Sequence, residues 1–428
     1  MKVKVPGPAV QLCECMKRIY NQDMTSLTGG NLSVLDEEGV IWVTPSGIDK
    51  GGLCPEDIVR ILPDGRTEGK YKPTSEYQIH KAIYEACPET KAVLHAHSPG
   101  MVTMSALRKP LNPLLLADAW RVCPSMGLAP YRTPGTSELA EAVKKEFQAG
   151  YSFVILENHA AFLGSVNLAA GFLAFEQMEF LARMQFNAQL LGKLLPADVK
   201  AVQRYVLESR KKVFSPSEIR NEGSEMREEK LREQLKSFSE RSYKKKLFTA
   251  GSGALSVRLG EDKFLITPEG KDRGNFEKDD FVCVDQGKCE AGKLPDRDWK
   301  LHREVYKKHP EVNCIMFAAP CGIGAYALND ACFPVELAPE VYGVLRSFQK
   351  ITLESFFDSE KTVEKISGKT PFLVVQNLGV FVAGPDLPLT FDKMEVAESA
   401  AQSLILAAMA EEKICTLTRE QLMLTDKN

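Results

Sequence analysis

Three histidines in the first half of the chain have the spacing of a metal site. His95 and His97 lie two residues apart at the apolar run 93–96, which predicts a short buried strand. Because residues i and i+2 of a strand point to the same side, both imidazoles face one pocket, as two ligands of a divalent metal do. His159 follows a second apolar run, 153–156, at another strand end. A single histidine is more often structural, but three at strand ends, out of six in the chain, predict a metal centre.

A helix start just upstream predicts an anion site. Thr74, Ser75 and Glu76 stand where a helical pattern begins, with a hydroxyl at the predicted N-cap and an acid in the first turn. A helix N-terminus presents free backbone N–H groups, which suit an anion such as phosphate. Residues 72–99 therefore encode a metal site and an anion site close together.

The bulk composition is that of a globular protein with two domains. The 428 residues predict two domains of about 200 residues each, and 44% hydrophobic content provides ample core. A net charge of −3 gives no general attraction to nucleic acid, and no apolar run approaches the roughly 20 residues that span a membrane. The 11 cysteines lack zinc-ribbon spacing, and the N-terminus lacks a secretory apolar core, which predicts reduced thiols and a cytoplasmic location.

Short strands alternate with helices along the first half, which predicts an α/β layered domain over residues 1–208. Amphipathic and long apolar patterns predict helices over 11–20 and 168–191. Alternating or apolar runs bounded by glycine and proline turns predict strands over 40–43 and 57–62, besides the two strands that precede the histidines.

The charged, turn-rich segment 209–227 is the predicted linker to a second domain, 228–428. Beyond it, motifs of the first half recur at a nearly constant offset of about 220 residues. The recurring motifs are Gly30-x-Leu32-Ser33-Val34 as Gly253-x-Leu255-Ser256-Val257, Thr44-Pro45-x-Gly47 as Thr267-Pro268-x-Gly270, His80-x3-Tyr84 as His302-x3-Tyr306, and Asn158 as Asn377. This steady offset predicts a duplicated domain.

The second copy keeps the glycines, prolines and apolar positions of the first copy, but the residues assigned to metal or phosphate are replaced. By these offsets Asn31 becomes Ala254, Ser46 becomes Glu269, Thr74-Ser75-Glu76 becomes Asp296-Arg297-Asp298, and His95, His97 and His159 become Phe317, Ala319 and Leu378. Purely structural histidines would show no such selective loss. The second copy acts as an internal control and is predicted to be non-catalytic.

Six motifs occur in order along residues 8–195 of the chain. They are Thr28-Gly29-Gly30-Asn31-x-Ser33, Thr44-Pro45-Ser46-Gly47, Thr74-Ser75-Glu76, His95-Ala96-His97, Pro130-Tyr131 with Gly135-Thr136, and Asn158-His159. With these motifs the first repeat resembles the class II aldolase/adducin family, especially the fuculose-phosphate-type aldolases, and a degenerate copy covers about 225–415. The resemblance implies two tandem αβα domains, each with a mixed, mainly antiparallel central sheet flanked by helices.

The resemblance also implies the composition of the site. It implies Zn²⁺ or another divalent metal on His95, His97 and His159, with Glu76 beside it as metal ligand or catalytic acid/base. The implied phosphate-binding residues are Thr28, Gly30, Asn31, Ser46, Gly47, Thr74 and Ser75. Family members are usually four-fold tetramers with sites at subunit contacts, so we expect this duplicated chain to be a homo-oligomer, a dimer that forms a pseudo-tetramer.

The implied activity is that of a carbon–carbon lyase of carbohydrate metabolism, acting on a small-molecule sugar phosphate. The reaction is reversible cleavage of a ketose 1-phosphate to dihydroxyacetone phosphate and an aldehyde, through an enediolate whose charge a divalent metal stabilises as a Lewis acid. We expect Glu76 to carry the proton to and from the enediolate carbon. A bound phosphate would fix the substrate against metal and acid.

One departure from the family pattern leaves the exact reaction open. Fuculose-type aldolases carry a tyrosine after the His-x-His strand to protonate the leaving aldehyde, whereas the matching stretch here, 113–116, is apolar. Asp118 and Tyr131 are candidate substitutes. Sister reactions of the superfamily are a sugar-phosphate 4-epimerase, which typically has Asp where Glu76 stands, a methylthioribulose-phosphate dehydratase and a decarboxylase. A non-catalytic, adducin-like binding protein is the alternative of another class, but such members tend to lose the metal histidines.

Overall fold

A computed structural model describes residues 6–210 and 225–425 of the chain. The contacts divide the chain into two units, the first comprising the described residues of Met1–Pro113 and Val122–Ala182. The second unit comprises those of Leu114–Arg121 and Arg183–Asn428. Residues 211–224 of the predicted linker lie outside the described residues, and the domain limits at 208 and 228 stay predictions.

The first half of the chain forms seven helices and eight strands within its described residues. The helices are α1 (Pro8–Asn21), α2 (Tyr77–Ala86), α3 (Pro99–Ala106), α4 (Ala117–Val122), α5 (Ser137–Gln148), α6 (Leu168–Leu191) and α7 (Val199–Arg210). The strands are β1 (Asn31–Leu35), β2 (Ile41–Val43), β3 (Val59–Ile61), β4 (Thr67–Glu68), β5 (Ala92–Ala96), β6 (Gly127–Ala129), β7 (Phe153–Leu156) and β8 (Ala161–Ser165). The predicted strand 153–156 and helix 168–191 are confirmed to the residue.

The eight strands form one sheet in the order β4-β3-β2-β1-β5-β8-β7-β6. All neighbours pair antiparallel except β6 and β7, so the sheet is mixed and mainly antiparallel, as predicted. Helices α2 and α5 pack on one face: Ile83 of α2 and Val143 of α5 share a buried cluster with Val93 and Phe162 of the sheet. Central strand β5 is buried at all five positions, which agrees with its sequence being apolar at every position except His95.

The second half of the chain repeats this sheet. Its helices are α8 (Glu225–Lys244), α9 (Trp299–Lys308), α10 (Pro339–Leu345), α11 (Leu353–Phe356), α12 (Ser359–Glu364), α13 (Leu387–Met409) and α14 (Arg419–Thr425). Its strands are β9 (Ala254–Arg258), β10 (Lys263–Ile266), β11 (Val282–Asp285), β12 (Lys288–Cys289), β13 (Cys314–Ala318), β14 (Gln349–Ile351), β15 (Phe372–Val375) and β16 (Gly379–Gly384). The order β12-β11-β10-β9-β13-β16-β15-β14 matches the first sheet strand for strand, which confirms the duplication.

The helix predicted to start near Thr74 begins later than expected. Glu76 itself is the N-cap residue of α2, with no side-chain cap, and the first helical residue is Tyr77. The carbonyl of Thr74 accepts a hydrogen bond from the Tyr77 amide at 3.2 Å, so a turn precedes the helix. The prediction of a hydroxyl N-cap was therefore wrong, and the Glu76 carboxylate is left free to point into the site.

Two further findings concern the chain as a whole. Among the described helices, none combines the length and apolar character that crossing a membrane requires. All 11 cysteines lie in the described residues as free thiols.

Candidate active site

The three predicted metal histidines come together at the ends of adjacent strands in the first unit. His95 is the fourth of the five buried residues of β5, where it pairs with Asn31 of β1 and Phe162 of β8. His97 follows two residues later. His159 lies in the tight turn between β7 and β8, where its amide donates to Ser105 Oγ at 2.6 Å. Strand pairing therefore converts positions 64 residues apart in the sequence into neighbours.

The imidazoles face one another closely enough to share an ion. His95 Nε2 lies 2.9 Å from His97 Nε2, and the three ring centroids are 4.8 to 5.1 Å apart. One ligand atom from each of the three side chains lies within 4.8 Å of the others. Donors around one zinc ion, at about 2.1 Å each, lie up to about 4 Å apart, so small side-chain shifts bring all three onto one metal.

Burial favours the neutral form of His95 and His97, which is the form that binds metal. His95 is fully buried, and burial lowers its pKa to about 3. Burial and the neighbouring His159 also lower the pKa of His97. His95 Nδ1 donates to the Ala161 carbonyl at 2.9 Å, which leaves the lone pair of Nε2 directed toward the other two rings.

Glu76 completes the cluster. Its Oε2 lies 3.2 Å from His95 Nε2, and its Oε1 lies 3.6 Å from His159 Nε2. Burial raises the pKa of Glu76, but His95, His159 and the Asn31 amide outweigh burial and hold that pKa below its usual value. Oε1 is buried and has no hydrogen-bond partner among the described residues. Because an unpartnered buried carboxylate oxygen is costly, this oxygen and the three imidazoles fit a divalent cation.

A directed chain of hydrogen bonds fixes the carboxylate. The Asn31 amide donates to Glu76 Oε2 at 2.8 Å, and His80 Nε2 donates to Asn31 Oδ1 at 2.6 Å. His80 Nδ1 then accepts from Ser33 Oγ at 2.7 Å, and Ser33 accepts from the Tyr84 hydroxyl at 2.6 Å. The donor directions follow because a carboxylate only accepts. Sequence reasoning assigned Asn31 to phosphate, but the structure places its side chain with Glu76, and its phosphate role stays a prediction.

The second unit keeps the supporting part of this chain without the catalytic part. Ser256 contacts His302 Nδ1 at 2.7 Å and the Tyr306 hydroxyl at 2.6 Å, as the first-unit residues do. Ala254 replaces the asparagine, so His302 Nε2 is buried without a partner in the described chain. Phe317 fills the place of His95 in the strand register. The prediction that the second site lost its metal ligands is therefore supported by geometry.

The predicted phosphate residues lie on three segments that the backbone brings together. The Thr74 amide donates to the Thr44 carbonyl at 3.2 Å, and Pro45 pairs with Pro73, which joins two of the segments. Thr28, Ser46, Gly47 and Ser75 are exposed at this edge, while Thr74 is buried. These positions leave the exposed hydroxyls and amides accessible to an anion, and the assignment to phosphate stays a prediction.

Gly30 connects the phosphate segments to the metal histidines. Its φ of +71° lies in the left-handed region, and a Cβ there would lie 2.7 Å from the His95 carbonyl oxygen. A Cβ on Gly29 would lie 3.4 Å from His97 Nδ1. Only glycine at position 30 lets this loop run against the histidine strand.

The two candidates for the aldehyde-side acid differ in burial and in charge partners. Asp118 belongs to the second unit, where it is 3% exposed, pairs with Arg297 and accepts from Ser252 Oγ at 2.5 Å. Burial raises the pKa of Asp118, but Arg297 and Arg121 outweigh this and lower it, so the group is a structural anion. This buried ion pair argues against Asp118 as the substitute proton donor, and that role stays a prediction.

Tyr131 remains as a candidate in the first unit. It is 50% exposed, and its amide donates to Glu157 Oε2 at 3.2 Å. A Cβ on Gly135 of the same loop would lie 3.5 Å from the Ser75 carbonyl oxygen. The loop that carries Tyr131 thus contacts both the phosphate segment and the residue two positions before His159.

Comparison with known proteins agrees with this geometry. The family model described as the class II aldolase and adducin N-terminal domain matches residues 10–186 and again 233–405. A 5-deoxy-D-ribulose 1-phosphate aldolase of Bacillus thuringiensis serovar kurstaki is 35% identical over 188 residues, which are 42% of this chain and 86% of that protein. A 3-oxo-tetronate 4-phosphate decarboxylase of Pectobacterium atrosepticum is 30% identical over 167 residues, which are 37% of this chain and 74% of that protein.

A solved L-fuculose 1-phosphate aldolase is 31% identical, covers 48% of this chain and 96% of its own, and has a TM-score of 0.43. Each of these relatives accounts for less than half of this chain. The family model, by contrast, matches both halves. The chain belongs to the class II aldolase/adducin family and carries its domain twice in tandem.

Proposed function

We propose that the first unit is a metal-dependent lyase that cleaves a ketose 1-phosphate to dihydroxyacetone phosphate and an aldehyde. The observation that carries this proposal is the Oε1 of Glu76, buried beside the three-histidine cluster without a hydrogen-bond partner among the described residues. The relative that acts on 5-deoxy-D-ribulose 1-phosphate supports a short ketose 1-phosphate as substrate. The second unit is proposed to be non-catalytic.

The residues divide the chemistry between them. His95, His97 and His159 would hold Zn²⁺ or another divalent metal, which when bound supplies Lewis-acid stabilisation of the negative charge that develops beside the ketone. Glu76 is ionised because its pKa lies below the usual value, so it suits the role of base. In the direction of synthesis it takes a proton from the carbon of dihydroxyacetone phosphate; in the direction of cleavage it returns that proton.

Cleavage also needs a group that takes the hydroxyl proton of the carbon that becomes the aldehyde. We assign this exchange to Tyr131, the half-exposed side chain on the loop between Ser75 and Glu157. In synthesis the same hydroxyl donates the proton to the aldehyde oxygen. Because Tyr131 is half exposed, its side chain is accessible to a bound substrate.

A decarboxylase is the second candidate function. The Pectobacterium relative acts on a 3-oxo acid phosphate, and loss of carbon dioxide from such an acid also leaves an enolate that needs charge stabilisation. The apolar stretch 113–116, where fuculose-type aldolases carry a tyrosine, is consistent with a reaction that has no aldehyde to protonate.

A substrate screen distinguishes these activities. Ketose 1-phosphates and 5-phosphates are incubated with the full chain, and release of dihydroxyacetone phosphate is measured beside carbon dioxide release from 3-oxo-tetronate 4-phosphate. The proposal predicts dihydroxyacetone phosphate from a ketose 1-phosphate and a bound divalent metal in the purified protein. No turnover together with no bound metal would favour the adducin-like binding protein. Mass in solution tests the proposed dimer, which a monomer would contradict.

A further inference from the structure

Lys50 is a buried basic residue that none of the six family motifs includes. Its side chain is 1% exposed, and its Nζ donates to the Pro45 carbonyl oxygen at 2.5 Å. An ammonium group has three donors, and no carboxylate among the described residues pairs with this one. Burial lowers the pKa of Lys50 to about 8. The protein thus buries a cation near its predicted phosphate site, and its described residues supply no carboxylate to pair with it.

The position of Lys50 joins the three phosphate segments. Its amide donates to the Leu27 carbonyl at 2.8 Å, which ties it to the loop of Thr28. Its ammonium lies at Pro45, the residue before Ser46. Pro45 in turn pairs with Pro73, at the start of the third segment. The charge therefore lies where all three segments converge.

The second unit shows how the same place is filled there. Arg273 is the counterpart of Lys50: it is also 1% exposed, and its amide donates to the Ala250 carbonyl at 3.0 Å, the bond that corresponds to Lys50 and Leu27. Its guanidinium donates to Asp296 Oδ2 at 3.1 Å. In the second unit a carboxylate of the chain itself neutralises this buried cation.

Asp296 occupies the position that Thr74 has in the first unit. The Asp296 amide donates to the Thr267 carbonyl at 2.8 Å, as the Thr74 amide does to the Thr44 carbonyl at 3.2 Å. Where the first unit has the neutral hydroxyl of Thr74, the second unit therefore has a carboxylate beside its buried basic residue, Arg273. At the corresponding positions the first unit has the ammonium of Lys50 and the hydroxyl of Thr74, so the carboxylate of the second unit has no counterpart at position 74.

We propose that Lys50 is the charged anchor of the substrate phosphate in the first unit, and that its ammonium pairs with a phosphate monoester dianion held by residues 27–30, 45–47 and 73–75. This inference rests on the proposed function, because it names the substrate class of that same site. Lysine suits the role because its ammonium is a compact charge with rotatable donors that can turn from a carbonyl to a phosphate oxygen.

The test uses the full chain and inorganic phosphate as the probe, measured by calorimetry. Lys50→Met removes the charge, and Lys50→Gln removes it while keeping a donor for the Pro45 carbonyl. Lys81→Met removes an equal charge from the exposed face of α2 and is the matched control. Because both Lys50 variants lose a charge-assisted hydrogen bond, we expect them to bind phosphate about 10- to 100-fold more weakly than the wild-type chain. The control variant should bind phosphate with unchanged affinity. The KM for the phosphorylated substrate rises by a similar factor, with a smaller change in kcat.

The Tm of the Lys50 variants distinguishes a phosphate anchor from a merely structural residue, because the two roles predict opposite changes in Tm. Removing an uncompensated buried charge predicts an unchanged or higher Tm for Lys50→Met in phosphate-free buffer. A lower Tm with unchanged phosphate affinity in Lys50→Gln would overturn the inference and make Lys50 structural.

Failure of the inference differs from failure of the proposed function. A wild-type chain that cleaves a ketose 1-phosphate with the same KM as both Lys50 variants refutes the anchor and leaves the lyase standing. A wild-type chain that binds phosphate through Lys50 but cleaves no ketose phosphate supports the anchor and refutes the lyase. No phosphate binding by the wild-type chain overturns the anchor outright.

Discussion

Replacing Glu76 with glutamine removes the proton exchange of the carboxylate but keeps the size of the side chain and its hydrogen bond to Asn31. Glutamine is isosteric, and its carbonyl oxygen can still accept the Asn31 amide that now lies 2.8 Å from Oε2. The hydrogen-bond chain through His80 is therefore preserved. What the variant loses is the oxygen that lies without a partner among the histidines and its capacity to exchange a proton.

The expected loss is large because positioned acid–base catalysis contributes about 10²- to 10⁴-fold in rate. This range corresponds to about 3–5 kcal/mol of transition-state stabilisation. We expect kcat of Glu76→Gln to fall by that factor while the three histidines retain the metal. Release of dihydroxyacetone phosphate, coupled to a reductase that consumes it, measures kcat, and metal analysis of the same sample measures occupancy.

The second unit supplies the matched control. Asp298 stands at the position of Glu76, and it accepts from the Tyr205 hydroxyl at 2.9 Å. Burial and the charge of Asp296 raise the pKa of Asp298 well above its usual value, which favours the neutral form that asparagine imitates. Asp298→Asn is expected to leave turnover unchanged. Full activity in Glu76→Gln would refute the role assigned to that carboxylate, and a matching loss in Asp298→Asn would refute the inactive second copy.

Three further predictions concern metal, ion pairing and pH. Exhaustive chelation of the three-histidine centre should abolish turnover, and added Zn²⁺ or another divalent metal should restore it; activity that survives chelation contradicts the metal site. Asp118→Asn leaves buried Arg297 without its main anion, which should lower the free energy of unfolding by about 3–5 kcal/mol in a denaturant titration. Burial lowers the pKa of His302 to about 3, below the usual value near 6.5, so the unfolded chain takes up the proton first and stability falls as pH drops through 6.5 toward 3. At pH 5 this loss is about 2 kcal/mol, and His302→Gln should flatten that part of the stability profile.

The sequence alone located much of the fold because several elements have a strong local signal. The long helix over 168–191 is apolar throughout most of its length, and the strand over 153–156 is a bounded apolar run. The start of α2 was misjudged because the hydroxyl of Thr74 matches an N-cap pattern while the chain in fact turns once more before Tyr77. Local pattern does not contain tertiary hydrogen bonds such as that of the Thr74 amide to the Thr44 carbonyl, and the N-cap lies at Glu76, two residues beyond Thr74.

The candidate site was predicted as a set of residue types, and the structure assigned their contacts. The two-residue spacing of His95 and His97 determines that they share a face of one strand. That Asn31 supports Glu76 depends on the pairing of β1 with β5, which no local pattern reveals. Asp118 was offered as a proton donor because sequence order places it after the histidine strand, whereas its ion pair with Arg297 is a contact between distant positions.

The sequence by itself determined that this protein is a duplicated class II aldolase-type chain with three metal-type histidines in one copy, since offsets, turn residues and apolar periods are properties of the chain alone. Only the tertiary structure decided which buried charges have partners: among the described residues Lys50 in the first unit has no carboxylate partner, whereas Arg273 in the second unit has Asp296. The reason is physical, because the free energy of a buried charge depends on the groups that folding brings within a few ångströms of it.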